Sequence, residues 1–141
     1  MRGVRKKVRK FSNETEEKHA IELIKWIKGG LDPTTKQFRG GMGVKKWPEL
    51  ALLYHIPNGG SRSAIEGHRF KLQGVLPGIP DYHLPVARKG FHGLYIELKR
   101  IGGVVAPNQL ALHNELKKQG YAVEVCYGAQ SALNVLINYL Q

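Results

Sequence analysis

A single cysteine, Cys126, is the chain's whole thiol content, which excludes a disulfide framework and a cysteine-based zinc ribbon. No apolar run approaches the roughly 20 residues of a membrane span. The N-terminus is basic but without the apolar core of a secretory signal, so the sequence reads as a soluble intracellular protein. Internal repeats are absent. The Gly-rich stretches at 40–43 and 59–60 do not end in Gly-Lys-Ser/Thr, which removes a P-loop. Acidic residues are scarce: 11 against 22 lysines and arginines, for a net charge of +11 and a pI of about 9.9. That balance favours polyanionic partners. Aspartate is rarer still, with only Asp32 and Asp81.

What is present suffices for one domain. A chain of 141 residues with 42% hydrophobic content buries roughly 68–70% of its unfolded surface. Residues 1–12 form a basic arm in which Arg2, Arg5, Lys6, Lys7, Arg9 and Lys10 precede any acidic residue. The arm suits either a solubilising tail or a nucleic-acid contact. Residues 13–141 read as a single folded domain. An amphipathic helix runs from about Thr15 to Lys28, with Ile21, Leu23, Ile24 and Ile27 on its apolar stripe, and Gly29-Gly30 ends it. Residues 31–46 are Gly- and Lys-rich and patternless, hence a loop. A short helix at 47–53, a strand at 53–56 and a helix from Ser61 to about Gln73 follow. Strands at 81–86, 93–99 and 121–127 are separated by a reversal and by a helix from Pro107 to about Gln119. A last helix covers 129–140. The β-α-β unit around residues 97–127 calls for parallel strands with a right-handed crossover. The fold class is therefore α/β, a mixed β-sheet flanked by helices.

The segments Asp81–Val86 and Gly93–Lys99 carry the chemistry. Both alternate with period 2, placing Tyr82, Leu84 and Val86 on one face and Asp81 and His83 on the other. Leu94, Ile96 and Leu98 likewise oppose Tyr95, Glu97 and Lys99. If the hairpin pivots near Lys89, positions summing to about 178 face each other, and Asp81 sits opposite Glu97 with Cα atoms about 4.5–5.5 Å apart. Like charges so placed are destabilising unless a cation lies between them. A metal ion meets that requirement, and Lys99 adds a second positive charge. Glu-x-Lys also occurs at Glu16/Lys18 and Glu115/Lys117, but in helical patterns, where i and i+2 do not share a face. Only the copy at 97–99 lies on a strand. The competing structural reading is a half-exposed hairpin with an ordinary surface ion pair.

Pro80-Asp81, Glu97-Leu98-Lys99 and Gln109, in this order of elements, resemble the PD-(D/E)xK nuclease superfamily. With His55-Ile56-Pro57-Asn58-Gly59-Gly60-Ser61-Arg62, Gly78-Ile79-Pro80-Asp81, Gly93-Leu94-Tyr95-Ile96-Glu97-Leu98-Lys99 and Gly120-Tyr121-Ala122-Val123, the chain is similar to the VRR-Nuc family in its minimal stand-alone form, found in phage and bacterial genomes. The resemblance covers about residues 14–140 and is closest in the central hairpin. It implies a restriction-endonuclease-like core. It also implies metal ligation by Asp81, Glu97 and the Leu98 carbonyl, with Mg2+ or Mn2+ as cofactor, and a Lys99 that orients the attacking water. Gln109 would support the lysine or contact the backbone. A first-helix glutamate near the metal is Glu16, with Glu17 as the alternative.

His55, Asn58, Ser61 and Arg62 form a second constellation, able to hold a phosphate at a strand end and helix start, or simply a capped turn with an exposed arginine. The reading that follows is a metal-dependent DNA endonuclease, structure-selective in the manner of a four-way junction resolvase, acting as a homodimer in a bacterial or phage-infected cytoplasm. The alternative is a non-catalytic nucleic-acid-binding module. An HNH-like pairing of His55 with Asn58, or of His113 with Asn114, is without the compact ββα context that chemistry needs.

Overall fold

The computed structural model describes residues 15–57 and 64–141. Thr15 opens the first helix, α1 (Glu16–Lys28): its Oγ1 accepts from the Lys18 N–H at 3.2 Å, and Glu16 and Glu17 fill the first turn, where the helix dipole favours negative charge. The stretch expected to be a patternless loop is more ordered. It contains an isolated bridge between Leu31 and Phe38 and a short helix, α2 (Met42–Lys46). Close backbone approach explains this order: a Cβ on Gly41 would lie 2.5 Å from the Trp26 carbonyl oxygen, so only glycine lets the chain pack directly on α1.

A 3-10 helix (Pro48–Leu52) leads into β1 (Tyr54–His55). Then come α3 (Ala64–Leu72), β2 (Tyr82–Leu84), β3 (Leu94–Lys99), α4 (Pro107–Lys118), β4 (Ala122–Tyr127) and α5 (Ala129–Leu140). The proposed Ser61 start of α3 lies outside the described residues. The four strands form one sheet in the order β1-β2-β3-β4. β2 pairs antiparallel with both β1 and β3, while β3 and β4 are parallel and joined through α4. This is the expected mixed sheet with flanking helices.

One face of the sheet presents Tyr82, Leu84, Leu94, Ile96, Leu98 and Cys126, all buried. Leu23 and Ile27 of α1 and Ala132, Leu136 and Tyr139 of α5 complete the core. Burial pushes the Cys126 thiol up to about 12, so it packs as an inert small hydrophobe. The opposite face is covered at one end by α4. Two contacts tie the β2–β3 hairpin to α5: the Tyr139 hydroxyl donates to the Val86 carbonyl at 2.6 Å, and the Lys89 ammonium donates to the Asn138 carbonyl. Among the described residues no helix is long and apolar enough to cross a membrane.

Candidate active site

The site begins with the hairpin register. Lys89 and Gly90 both have positive φ, 52° and 82°, and Arg88 bridges Phe91 across them. Two successive left-handed residues make the turn whose twist suits antiparallel strands. The resulting pairs are Tyr82 with Ile96, His83 with Tyr95 and Leu84 with Leu94, all summing to 178 as the alternation required. One step beyond Tyr82, Asp81 comes level with Glu97. Its Oδ2 accepts the Leu98 backbone N–H at 2.7 Å, which fixes the carboxylate against the end of β3. The Asp81 carbonyl accepts from the Ile56 N–H at 2.7 Å. It also lies 2.8 Å from His55 Nδ1. Because a carbonyl can only accept, that ring nitrogen carries the proton, and His55 braces the Asp81 backbone.

Glu97 and Lys99 are not a surface pair. They are 1% and 8% exposed, because α4 lies over their face of the sheet. Gln109, in the first turn of α4, connects them. Its Nε2 donates to Glu97 Oε1 at 3.1 Å, and its Oε1 accepts from Lys99 Nζ at 3.1 Å and from the Ala106 N–H at 2.9 Å. Lys99 Nζ is itself 3.4 Å from Glu97 Oε1. The other carboxyl oxygen, Oε2, lies 3.5 Å from His113 Nε2.

Electrostatics follow from this burial. Glu97 is pushed up to about 8, chiefly by desolvation and next by the negative charge of nearby Asp81; Lys99 offsets part of this. His113 is held below the ordinary histidine range by desolvation and by the positive charges of Lys117 and Lys99, with Asp81 acting the other way. With no cation present, the pocket therefore keeps a proton on Glu97 and none in excess on His113 near neutral pH.

Asp81 and Leu98 also open onto a cleft of about 860 Å3 on the α1 side of the sheet, shared with Glu16, Glu17, His55 and Pro57. Its walls include Ala20, Ile24 and Tyr82. Both first-turn glutamates reach this cleft, so the geometry does not choose between them. Among the described residues no three His, Cys, Asp or Glu side chains are grouped to hold a metal ion. Glu16 is thus not joined to Asp81 and Glu97 as a third ligand.

The VRR-NUC domain family profile matches residues 31–130. The chain belongs to the VRR-NUC domain family. A solved structure of a VRR_NUC domain protein agrees with it at a TM-score of 0.67 and 28% identity, covering 89% of this chain and 88% of that one. No curated protein matches the sequence. VRR-NUC domains are nuclease-type, so nuclease function, with DNA as the substrate class, is the activity at issue.

Of the residues singled out in this VRR-NUC chain, Asp81, Glu97, Leu98, Lys99 and Gln109 come together at the end of β3. His55 and Glu16 line the adjoining cleft. Asn58, Ser61 and Arg62 lie outside the described residues. His113 is the residue that sequence reasoning misses, because there it enters only as half of a pair with Asn114. Its spacing was the available signal: it stands one helical turn after Gln109 and so shares that residue's face of α4.

Proposed function

We propose that this VRR-NUC domain is a divalent-metal-dependent endodeoxyribonuclease that hydrolyses phosphodiester bonds. One observation carries the reading: two carboxyl groups converge in a desolvated pocket where Lys99 is the nearby cation. Glu97 Oε2 is buried without a hydrogen-bond partner, and Glu97 is held protonated by its surroundings. Such a pocket favours a second positive charge. The donor set fits magnesium or manganese, which take oxygen ligands and keep several waters of their own. Asp81, Glu97 and the Leu98 carbonyl would hold the ion, and bound there it would supply Lewis-acid stabilisation of the scissile phosphate and a more acidic water.

The chain's own groups do the rest. Lys99, aimed by Gln109, orients the attacking water and offsets charge gathering on the phosphorane. The cleft beside Asp81, with His55 at its wall, receives the substrate backbone. Glu16 or Glu17 at its rim assists the water network. Asn58, Ser61 and Arg62 follow His55 in sequence and are assigned to phosphate contact.

The substrate is DNA, and branched DNA by preference, with the protein acting as a homodimer. Two symmetric nicks across a four-way junction need two sites, and each chain has one; a twofold dimer supplies both. Helix α3 supports this, since none of its residues is buried. Ile65 and Leu72 are 75% and 74% exposed, an apolar patch suited to a second copy.

The test is incubation of supercoiled plasmid, linear duplex and a synthetic four-way junction with magnesium, with manganese and with chelator. Metal-dependent nicking, symmetric on the junction, is the expected result. Cleavage that persists in chelator overturns the mechanism. DNA binding without cleavage under every metal condition favours the non-catalytic binding module instead.

A further inference from the structure

We propose that His113 is a positioning residue for Glu97, holding the carboxyl oxygen that Gln109 and Lys99 leave free. The proposal rests on the nuclease reading above and adds to it a residue outside the motif.

The two oxygens of Glu97 have different surroundings. Oε1 receives the Gln109 amide and faces Lys99. Oε2 faces His113 Nε2 at 3.5 Å. Both of these atoms are fully buried, and neither has a hydrogen-bond partner. Buried polar atoms rarely stay unpaired, because each forfeits its hydration. A closure of about half an ångström turns this contact into a hydrogen bond of ordinary length, giving His113 Nε2 its partner and occupying one of the two lone pairs of Oε2, with the other left for a cation. His113 is 2% exposed and has no route to solvent that would serve instead.

Gln109 and His113 leave the same face of α4 one turn apart. The helix therefore grips the carboxyl at both oxygens, with Gln109 Oε1 also receiving the Ala106 N–H where α4 begins. A carboxyl held at both ends cannot rotate about its last torsion, so its orientation is set before a cation arrives. Partners that orient a metal-ligating side chain commonly change metal affinity by about 10–100-fold when removed.

The experiment compares His113→Leu, which keeps bulk and removes both ring nitrogens, with His113→Gln, which keeps an N–H at similar reach, and His113→Asn, which is polar but too short. Manganese binding is read by calorimetry, and nicking of plasmid by kcat and KM. His113→Leu and His113→Asn should weaken manganese binding by about 10–100-fold and lower kcat with KM for DNA unchanged. His113→Gln should recover most of both. In the metal-free protein, the ring nitrogen resonances of His113 should move on Glu97→Gln substitution.

Wild-type manganese binding by both His113→Leu and His113→Asn overturns the proposal. So does a His113→Gln variant as impaired as His113→Asn, which marks a role in shape alone. If His113→Leu does not fold, the comparison of the glutamine and asparagine variants decides. Should the wild type bind no manganese, the nuclease reading fails. The His113 resonances still judge the contact, and signals unmoved by Glu97→Gln overturn it.

Discussion

Replacing Glu97 by glutamine should stabilise the metal-free protein in alkaline buffer while leaving it little changed near pH 5. Glu97 keeps its proton in the folded state up to about pH 8, against an ordinary value of 4.5. Between those two values the unfolded chain has released the proton and the native chain still holds it. The native state then binds more protons, and its stability falls as pH rises through that window. Over the whole window the loss is at most about 5 kcal/mol, at 1.36 kcal/mol per pH unit. Structural relaxation and the neighbouring Lys99 reduce it, and about 2–3 kcal/mol is a reasonable remainder. Glutamine preserves the shape and the Oε1 contact with Gln109 but has no charge to desolvate. For a chain of this size that difference corresponds to roughly 8–12 °C in melting temperature. The assay is thermal unfolding in chelator at pH 5 and pH 9, wild type beside variant, so that titrating groups remote from Glu97 cancel. A variant that melts below the wild type at pH 9, or a gap equal at both pH values, refutes the reasoning. Added manganese should raise the wild-type midpoint by ligand linkage and leave the variant's nearly in place.

Other substitutions probe separate parts of the site and fold. Asp81→Asn retains an oxygen for the Leu98 N–H, so the variant should fold and bind DNA like the wild type while nicking about 10²–10³-fold more slowly, measured in parallel gel-shift and plasmid assays. Gln109→Leu strips partners from Glu97, Lys99 and the Ala106 N–H together and should cost about 1–3 kcal/mol, read as a lower urea midpoint. Gly41→Ala forces a methyl group against the Trp26 carbonyl and should cost about 2–4 kcal/mol, again by urea unfolding. Binding to duplex DNA should weaken with salt by about 0.9 log units per log salt for each phosphate contacted, as read from fluorescence anisotropy titrations.

Much of this was legible in the sequence because it depends on local pattern. Alternation in 81–86 and 93–99, with a Lys-Gly pair able to take positive φ, determines the register that aligns Asp81 with Glu97. Pro107 at a helix start and Ala129 after Gly128 bracket α4 and α5 without tertiary information. The burial of Glu97 and Lys99 was not legible in that way. Strand alternation assigned them to the polar face, and only the seating of α4 turns that face into an interior. His113 was hidden for the same reason, since a histidine among lysines and an asparagine on a helix looks solvated until the sheet is placed beneath it. Helix α2 escaped because five residues with a central glycine carry no periodic signal. What orders them is the backbone contact of Gly41 with α1, a relation between distant segments.

The mooring of the hairpin tip to the last helix has a practical corollary. Tyr139 belongs to α5, far along the sequence from the hairpin, yet its hydroxyl secures Val86, five positions along the ribbon from the aspartate that meets β3. Trimming the final turn, or fusing a bulky tag that unwinds it, would slacken that ribbon from outside and let the acidic pair drift out of alignment. A truncation into α5 that abolishes activity should therefore not be mistaken for loss of a reacting group.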